Sequence, residues 1–291
     1  MPSTRDIRNR IRGVKNTAKI TRAMQLVAAS KMKRAQDRAL EGRPYAEQLA
    51  RMLAALNNRI QEDFKHPFLE ERSVKTRGVL VISTDRGLCG PLNANLFREI
   101  SLLDRDETAF ITIGRKAKQF ITRTQRKLLA DFPVSEDARF KELRPVVEFL
   151  IQQFLEGKID TVEVLYPHFR NTLIQEPRLV PFLPFKNFQE DVERMAEESG
   201  EKLVHDDRDV IFEPSPEHIL KELLDLFIKR QIYQLLTDAR ASEHSARMVA
   251  MKAATDNAKK LTDSLTLQYN KARQAGITQE ILEITAATLH S

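Results

Sequence analysis

Cysteine is almost absent: Cys89 is the only one in 291 residues, which excludes an internal disulfide framework and fits a reducing cytoplasm. No run of about 18 apolar residues occurs, so the sequence holds no helix that would cross a bilayer. The opening "MPSTRDIRNRIRG" lacks an apolar h-region and does not read as a secretory signal. Nine glycines and twelve prolines are few for this length, and most lie in the middle of the chain. Their scarcity at the ends points to long uninterrupted elements there.

What the ends do have is rhythm and charge. Residues 3 to 43 contain no proline, and residues 217 to 291 contain none and one glycine, Gly276. Steps of four and three from Ile7 land on Ile11, Val14, Ala18, Thr21, Gln25, Ala28, Met32, Ala35 and Ala39. Past Gly42 the same steps reach Ala46, Leu49, Leu53, Leu56 and Ile60. A 3.5-residue period held this long predicts a left-handed coiled coil. Its middle is small and polar, which lets a partner helix approach closely while burying little apolar area. Pro44 should kink this first helix. Eleven of the first forty residues are Lys or Arg, opposed only by Asp6 and Asp37. Such a basic arm implies an acidic partner, or else a solvated face.

The second long helix is expected to open at "EPSPEHIL", with Ser215 as N-cap and Pro216 in the first turn. Leu224, Ile228, Ile232, Leu235 and Ala239 follow at coiled-coil spacing, and the seam then turns small through Ala246, Ala250 and Ala253. Both terminal helices turn small in their distal halves, so they are expected to pack on one another. One enters the middle domain and the other leaves it, so the pair should run antiparallel. The expected segments are 1–60, 75–210 and 214–291.

The middle alternates strand and helix. "GVLVIST" (78–84), "TAFITIG" (108–114) and "TVEVLYPHF" (161–169) read as strands; 91–100, "RKAKQFITRT" and 143–157 read as helices. "TLIQEPRLVPFLP" reads as an edge strand, its prolines denying it a central place. The pattern predicts a small open α/β, Rossmann-like sheet. Residues 189 to 209 are acidic and polar and read as an excursion.

No catalytic constellation stands out. "STDRGLCGPLNANL" offers a glycine-bearing turn before a helix, a place where backbone amides hold phosphate. It matches neither GxxxxGK[ST] nor GxGxxG, and Gly87 with Gly90 more simply permits a tight turn. Cys89 has no histidine near it in sequence and reads as a small buried residue rather than a thiolate nucleophile. The six histidines lack metal-ligand spacing, and Asp206, Asp207 and Asp209 lack the glycine and glutamate of a calcium loop. No cofactor is expected.

"RDIRNRIRGVKNTAKITRAMQLVAASKMKRAQ", "TDRGLCGPLNANL" and "ASEHSARMVAMKAATDNAKKLTDSLTLQYNKARQAGITQEILEI" together resemble the gamma subunit of F-type ATP synthases. The likeness covers essentially the whole chain and is weakest over 185–209. The tail "TAATLHS" departs from the glycine- and alanine-rich ending usual there, and Cys89 alone does not imply thiol control.

The resemblance implies a non-catalytic rotor shaft inside a ring of alternating alpha and beta subunits. The middle domain would sit beside epsilon on a membrane ring of c subunits, at the cytoplasmic face of the bacterial inner membrane. It implies polar contacts to beta loops at Met24, Arg247, Gln274, Thr278 and Glu280, and an apolar bearing at Ile277, Ile281 and Ile284. A nucleic-acid-binding coiled coil is the alternative, supported by the basic arm and opposed by the lack of a base-reading motif and the few aromatics. A small α/β enzyme with helical arms is the third reading.

Overall fold

The computed structural model describes residues 3–42, 44–45, 48–49, 52–53, 56, 66–70, 72–136, 140–185, 213 and 215–289. Helix α1 spans Thr4–Glu41 and α5 spans Pro216–Leu289. Between them come β1 (Arg77–Ile82), α2 (Leu92–Leu102), β2 (Thr108–Ile113), α3 (Arg115–Arg123), β3 (Lys127–Phe132), a 3-10 turn (Phe140–Leu143), α4 (Arg144–Leu155), β4 (Thr161–Phe169) and β5 (Gln175–Leu183). The chain divides into two compact units: residues 1–29 with 247–291, and residues 30–246.

In the smaller unit, α1 begins with a capping box. The Asp6 N–H donates to Ser3 Oγ at 3.2 Å and the Ser3 N–H donates to Asp6 Oδ2 at 3.3 Å. Two contacts fix how the helices run. Thr21 and Thr255 hydroxyls meet at 2.7 Å, and Arg8 Nη2 donates to the Tyr269 hydroxyl at 2.6 Å. Thirteen residues back along α1 thus correspond to fourteen forward along α5, an antiparallel pair.

The α1 seam follows the heptad series: Ile7, Thr21 and Ala28 are buried, and Ile11, Val14, Ala18 and Gln25 are half-buried. On α5 the seam is Met251, Thr255, Ala258, Thr262, Leu265, Tyr269 and Ala272. Ala253 lies off it, exposed, and Ala250 is half-buried. The heptad series loses its phase before Ala253 because the preceding stretch of α5 is buried almost throughout and leaves no stripe to keep it.

In the larger unit the sheet order is β3-β2-β1-β4-β5, parallel except for β5, which runs antiparallel on the edge beside β4. Its strands bury alternate side chains on two faces. Val79, Val81 and Phe110 pack with α2 and α3 through Leu96, Ile100 and Ile121. Leu80, Ile82 and Ile111 pack on the other face with α4 and with Leu224, Ile228, Ile232 and Leu235 of α5. Helices on both faces explain why β1 and β2 read as continuous apolar runs.

Helix α1 stops at Glu41, where the Gly42 N–H donates to Arg38 O at 3.3 Å; described residues from Pro44 to Leu56 are helical again, and Leu49, Leu53 and Leu56 are buried. Ala46, Ile60 and residues 189–209 lie outside the described residues. Ser215 does cap α5, its Oγ accepting from the His218 N–H at 3.3 Å. Strand β3 was not expected. The preceding helix ends in a Schellman turn with Gln125 at φ 52 in the place glycine usually takes, so no punctuation announces the strand.

Candidate functional site: a filled crevice and a coiled-coil surface

In an open α/β sheet, ligands bind beyond the carboxyl ends of the strands, where the strand order reverses. Here that point lies between β1, which pairs with β2 on one side, and β4 on the other. The chain fills it with its own helix. Ala246 of α5 packs on Cys89 and Leu92, just after β1. Ser245 Oγ donates to Thr172 O at 2.9 Å, just after β4, and Arg240 comes within 4.0 Å of Asp85.

The β1–α2 loop is also closed on itself. Thr84 Oγ1 donates to Arg86 O at 2.7 Å, and Asn93 Nδ2 donates to Thr84 Oγ1 at 2.8 Å and toward Cys89 Sγ at 3.3 Å. Its left-handed residues are Leu88 (φ 63) and Gly90 (φ 58), so the turn rests on these two rather than on Gly87. Cys89 is 2% exposed, a packed residue and not a presented thiol. At the next turn, Gly114 has φ 98, and a Cβ there would fall 2.2 Å from Ser83 O. Among the described residues no cluster of three or more His, Cys, Asp or Glu would hold a metal.

The feature that sequence reasoning missed is a buried polar belt on α5. Arg230, Gln231, Gln234, Thr237, Arg240, Ser242, Glu243, His244 and Ser245 are all buried. Arg230 Nη2 donates to Gly42 O at 3.0 Å, and Arg240 Nη1 to Glu243 Oε2 at 2.9 Å. Asp238 accepts from the Phe169 N–H at 3.1 Å and meets His168 Nδ1 at 2.7 Å. The Asp238 bonds tie α5 to β4 and the Arg230 bond ties it to the residue after α1, directional contacts that apolar packing alone does not supply.

The candidate contact residues all fall in the smaller unit and form two groups. Stepping from Thr21 and Thr255 in the observed register brings Met24 level with Lys252, and Arg247 level with Ala29. Met24 and Arg247 are both half-buried and lie within about two turns of each other along the pair. Gln274 lies some 40 Å farther along α5 at 1.5 Å per residue. The same register sets Ser3 level with Arg273, and every side chain from Arg273 to Leu282 is exposed. There Ile277, Ile281 and Ile284 form one stripe, 48%, 57% and 66% exposed. Helical geometry places Gln274 and Thr278 along one flank of the stripe and Glu280 along the other. The Thr278 hydroxyl donates to Gln274 O at 3.0 Å, leaving its lone pairs outward.

The model of the ATP synthase family matches residues 3–288. The ATP synthase gamma chain of Opitutus terrae is 54% identical over 99% of this chain and 98% of its own length. That of Methylacidiphilum infernorum is 44% identical over 99% and 98%. The chain belongs to the ATP synthase gamma-chain family.

Chains in solved ATP synthase structures share the fold. The Euglena gracilis mitochondrial ATP synthase holds a chain with a TM-score of 0.68 at 18% identity, covering 98% of this chain and 93% of that one. A chain of the same enzyme's rotor gives 0.64 at 16%, covering 94% and 98%. The gamma-chain fold is therefore a coiled coil of the terminal helices plus a small, mostly parallel sheet. Among the described residues no helix is long and apolar enough to cross a membrane.

Proposed function

We propose that this chain is the central rotor shaft of an F-type, proton-translocating ATP synthase, coupling rotation to ATP synthesis and hydrolysis at sites on beta subunits. Membership of the gamma-chain family over nearly the whole chain carries the reading. On this reading the shaft is not itself catalytic. Its own α5 occupying the sheet's ligand crevice supports that.

The partners are the alpha and beta subunits, the epsilon subunit and the ring of c subunits. The chain acts as a peripheral subunit at the cytoplasmic face of the bacterial inner membrane. Met24, Arg247, Gln274, Thr278 and Glu280 meet loops of beta, and Ile277, Ile281 and Ile284 run in an apolar bearing. An exposed isoleucine stripe with polar flanks suits such a collar, since in water it would stay uncovered. A seam of alanine and threonine keeps the pair slim, and a basic, shallow skin turns past successive partners without locking into one pocket.

The test is reconstitution of the alpha-beta hexamer with and without this chain. ATP-driven rotation of a bead fixed to the larger unit is expected only with it. A complex that assembles with the chain and hydrolyses ATP without rotating it would overturn the proposal.

A further inference from the structure

Within the larger unit, the polar belt of α5 is held from two sides. On one side Asp238 Oδ1 accepts from the Phe169 N–H at 3.1 Å, and Oδ2 meets His168 Nδ1 at 2.7 Å, at the end of β4. Ser245 lies seven residues on, within about 20° of the same side at 3.6 residues per turn. Its Oγ donates to Thr172 O at 2.9 Å in the turn between β4 and β5, and Gln175 Nε2 donates to it at 3.4 Å. Arg240 stands about 160° round the helix from Asp238. Its Nη2 donates to Val134 O at 3.3 Å, just beyond β3 at the opposite edge of the sheet.

Ties on opposite sides of a helix resist one motion above all, turning of the helix about its own axis. Polar atoms stand about 5–6 Å from that axis, so a turn of about 20° carries them about 2 Å. Hydrogen bonds hold only over a range of about 0.5 Å, so such a turn breaks the Asp238 and Ser245 bonds. Apolar packing supplies little of this resistance here. Helix ridges interlock through bulky side chains, and from Asp238 to Ala246 the only apolar residues are Ala239, Ala241 and Ala246. The bulky series Leu224, Ile228, Ile232 and Leu235 stops just short of this stretch.

We propose that Asp238, together with Ser245, is the torsional anchor of α5, a positioning residue that keeps the helix from turning against the sheet under load. The proposal rests on the rotor reading above, in which α5 carries torque. The larger unit ends at Ala246 on this helix, so twist arriving along α5 meets the anchor before it meets the bulky core. Polar groups stand here, where leucine would pack, because their bonds fix an angle as well as a distance.

The test fixes the reconstituted alpha-beta complex to a surface, stalls it with a non-hydrolysable ATP analogue, and records the thermal angular spread of a bead on the larger unit. Asp238→Ala should widen the spread and Ser245→Ala should widen it less. Asp238→Asn should restore it, since an amide oxygen still accepts from the Phe169 N–H. Val147→Ala, which opens a void in the apolar core under α4, should lower Tm without widening the spread. If Asp238→Ala does not assemble, Ser245→Ala and His168→Ala decide, each removing one side-chain tie. Two results overturn the anchor: an unchanged spread in the variants that assemble, or equal widening in Val147→Ala. The spread is read with the rotor stalled, so it judges the anchor whether or not ATP drives rotation. Absence of rotation in the unaltered complex counts against the rotor reading instead.

Discussion

The hydroxyls of Thr21 and Thr255 meet at 2.7 Å inside the seam between α1 and α5. Each hydroxyl also reaches a carbonyl of its own helix, Thr255 Oγ1 to Met251 O at 2.8 Å and Thr21 Oγ1 to Ala18 O at 3.2 Å, so one of the two donates along its helix and the other across the interface. Alanine and threonine bury too little area to fix a register firmly by packing, since each methylene contributes only about 0.8 kcal/mol. A directional bond between helices does what bulk does not.

That register is open to a chemical test. The double variant Thr21→Cys/Thr255→Cys should form an intramolecular disulfide rapidly under mild oxidant, while Thr21→Cys paired with Ser264→Cys should not. Cys89 is too buried to compete. Non-reducing electrophoresis and mass mapping read the result. Equal yields from the two pairs would show that the seam slides.

The filled crevice predicts a protected thiol. Cys89 packs against Ala246 and Leu92, so an aromatic disulfide reagent should label it only when this part of the unit opens. Ala246→Phe would overpack the contact, costing about 1–3 kcal/mol. It should speed labelling in proportion to the lost stability. Immediate labelling of the unaltered chain would contradict the packing.

Legibility in the sequence followed the number of sides on which an element is buried. The α1 seam could be read residue by residue because one face is covered and the rest is wet, which is the condition for a heptad to show. The α5 belt could not. Arg230, Gln234, Arg240 and Glu243 look like solvent-facing residues in sequence, and only their tertiary partners make burial tolerable. Strand β3 is hidden in the sequence by Lys127, which is exposed, and by Asp131, whose charge is met by tertiary contacts. Asp131 accepts from Thr112 Oγ1 at 2.8 Å and from Lys118 Nζ at 2.9 Å. For the contact surface, composition and spacing located nothing. Met24, Arg247 and Gln274 came from family likeness, and the structure adds that they lie in two groups far apart along the pair.

His66 makes the larger unit acid-sensitive. Burial, helped by the nearby positive charge of Lys221, holds its pKa below the ordinary 6.5. Its Nδ1 accepts from the Phe68 N–H at 3.2 Å, a bond that belongs to the neutral ring. Well above pH 6.5 neither the folded nor the unfolded chain carries this proton, and the contribution is complete. As pH falls below that value the unfolded chain binds a proton the folded one resists, so stability declines until the lower folded pKa is passed. His66→Asn keeps an acceptor for Phe68 without the titration. Denaturant midpoints measured between about pH 7 and 5 should therefore fall less in the variant. Identical slopes would assign the acid sensitivity elsewhere.

On the proposed function, the two contact groups should fail differently. Met24 is half-buried, level with Lys252 across the pair, and Lys252 is exposed. Met24→Lys therefore adds a cation near another one, and its charge must turn outward toward the surrounding ring. There it gains an ionic contact with an acidic beta loop or loosens the helix pair, and either raises the barrier to rotation. Each tenfold loss of rate corresponds to about 1.4 kcal/mol, within the reach of one charge-assisted hydrogen bond. Arg247→Ala with Gln274→Ala removes contacts instead, one from each group, and should loosen coupling while leaving the exposed seam-free end of α5 folded. In membranes carrying the reconstituted complex, both variants should hydrolyse ATP yet pump protons poorly per ATP. Met24→Lys should also show a steeper temperature dependence of turnover, which the double alanine variant should not. Normal pumping per ATP in both, with normal assembly, would remove these residues from the coupling path.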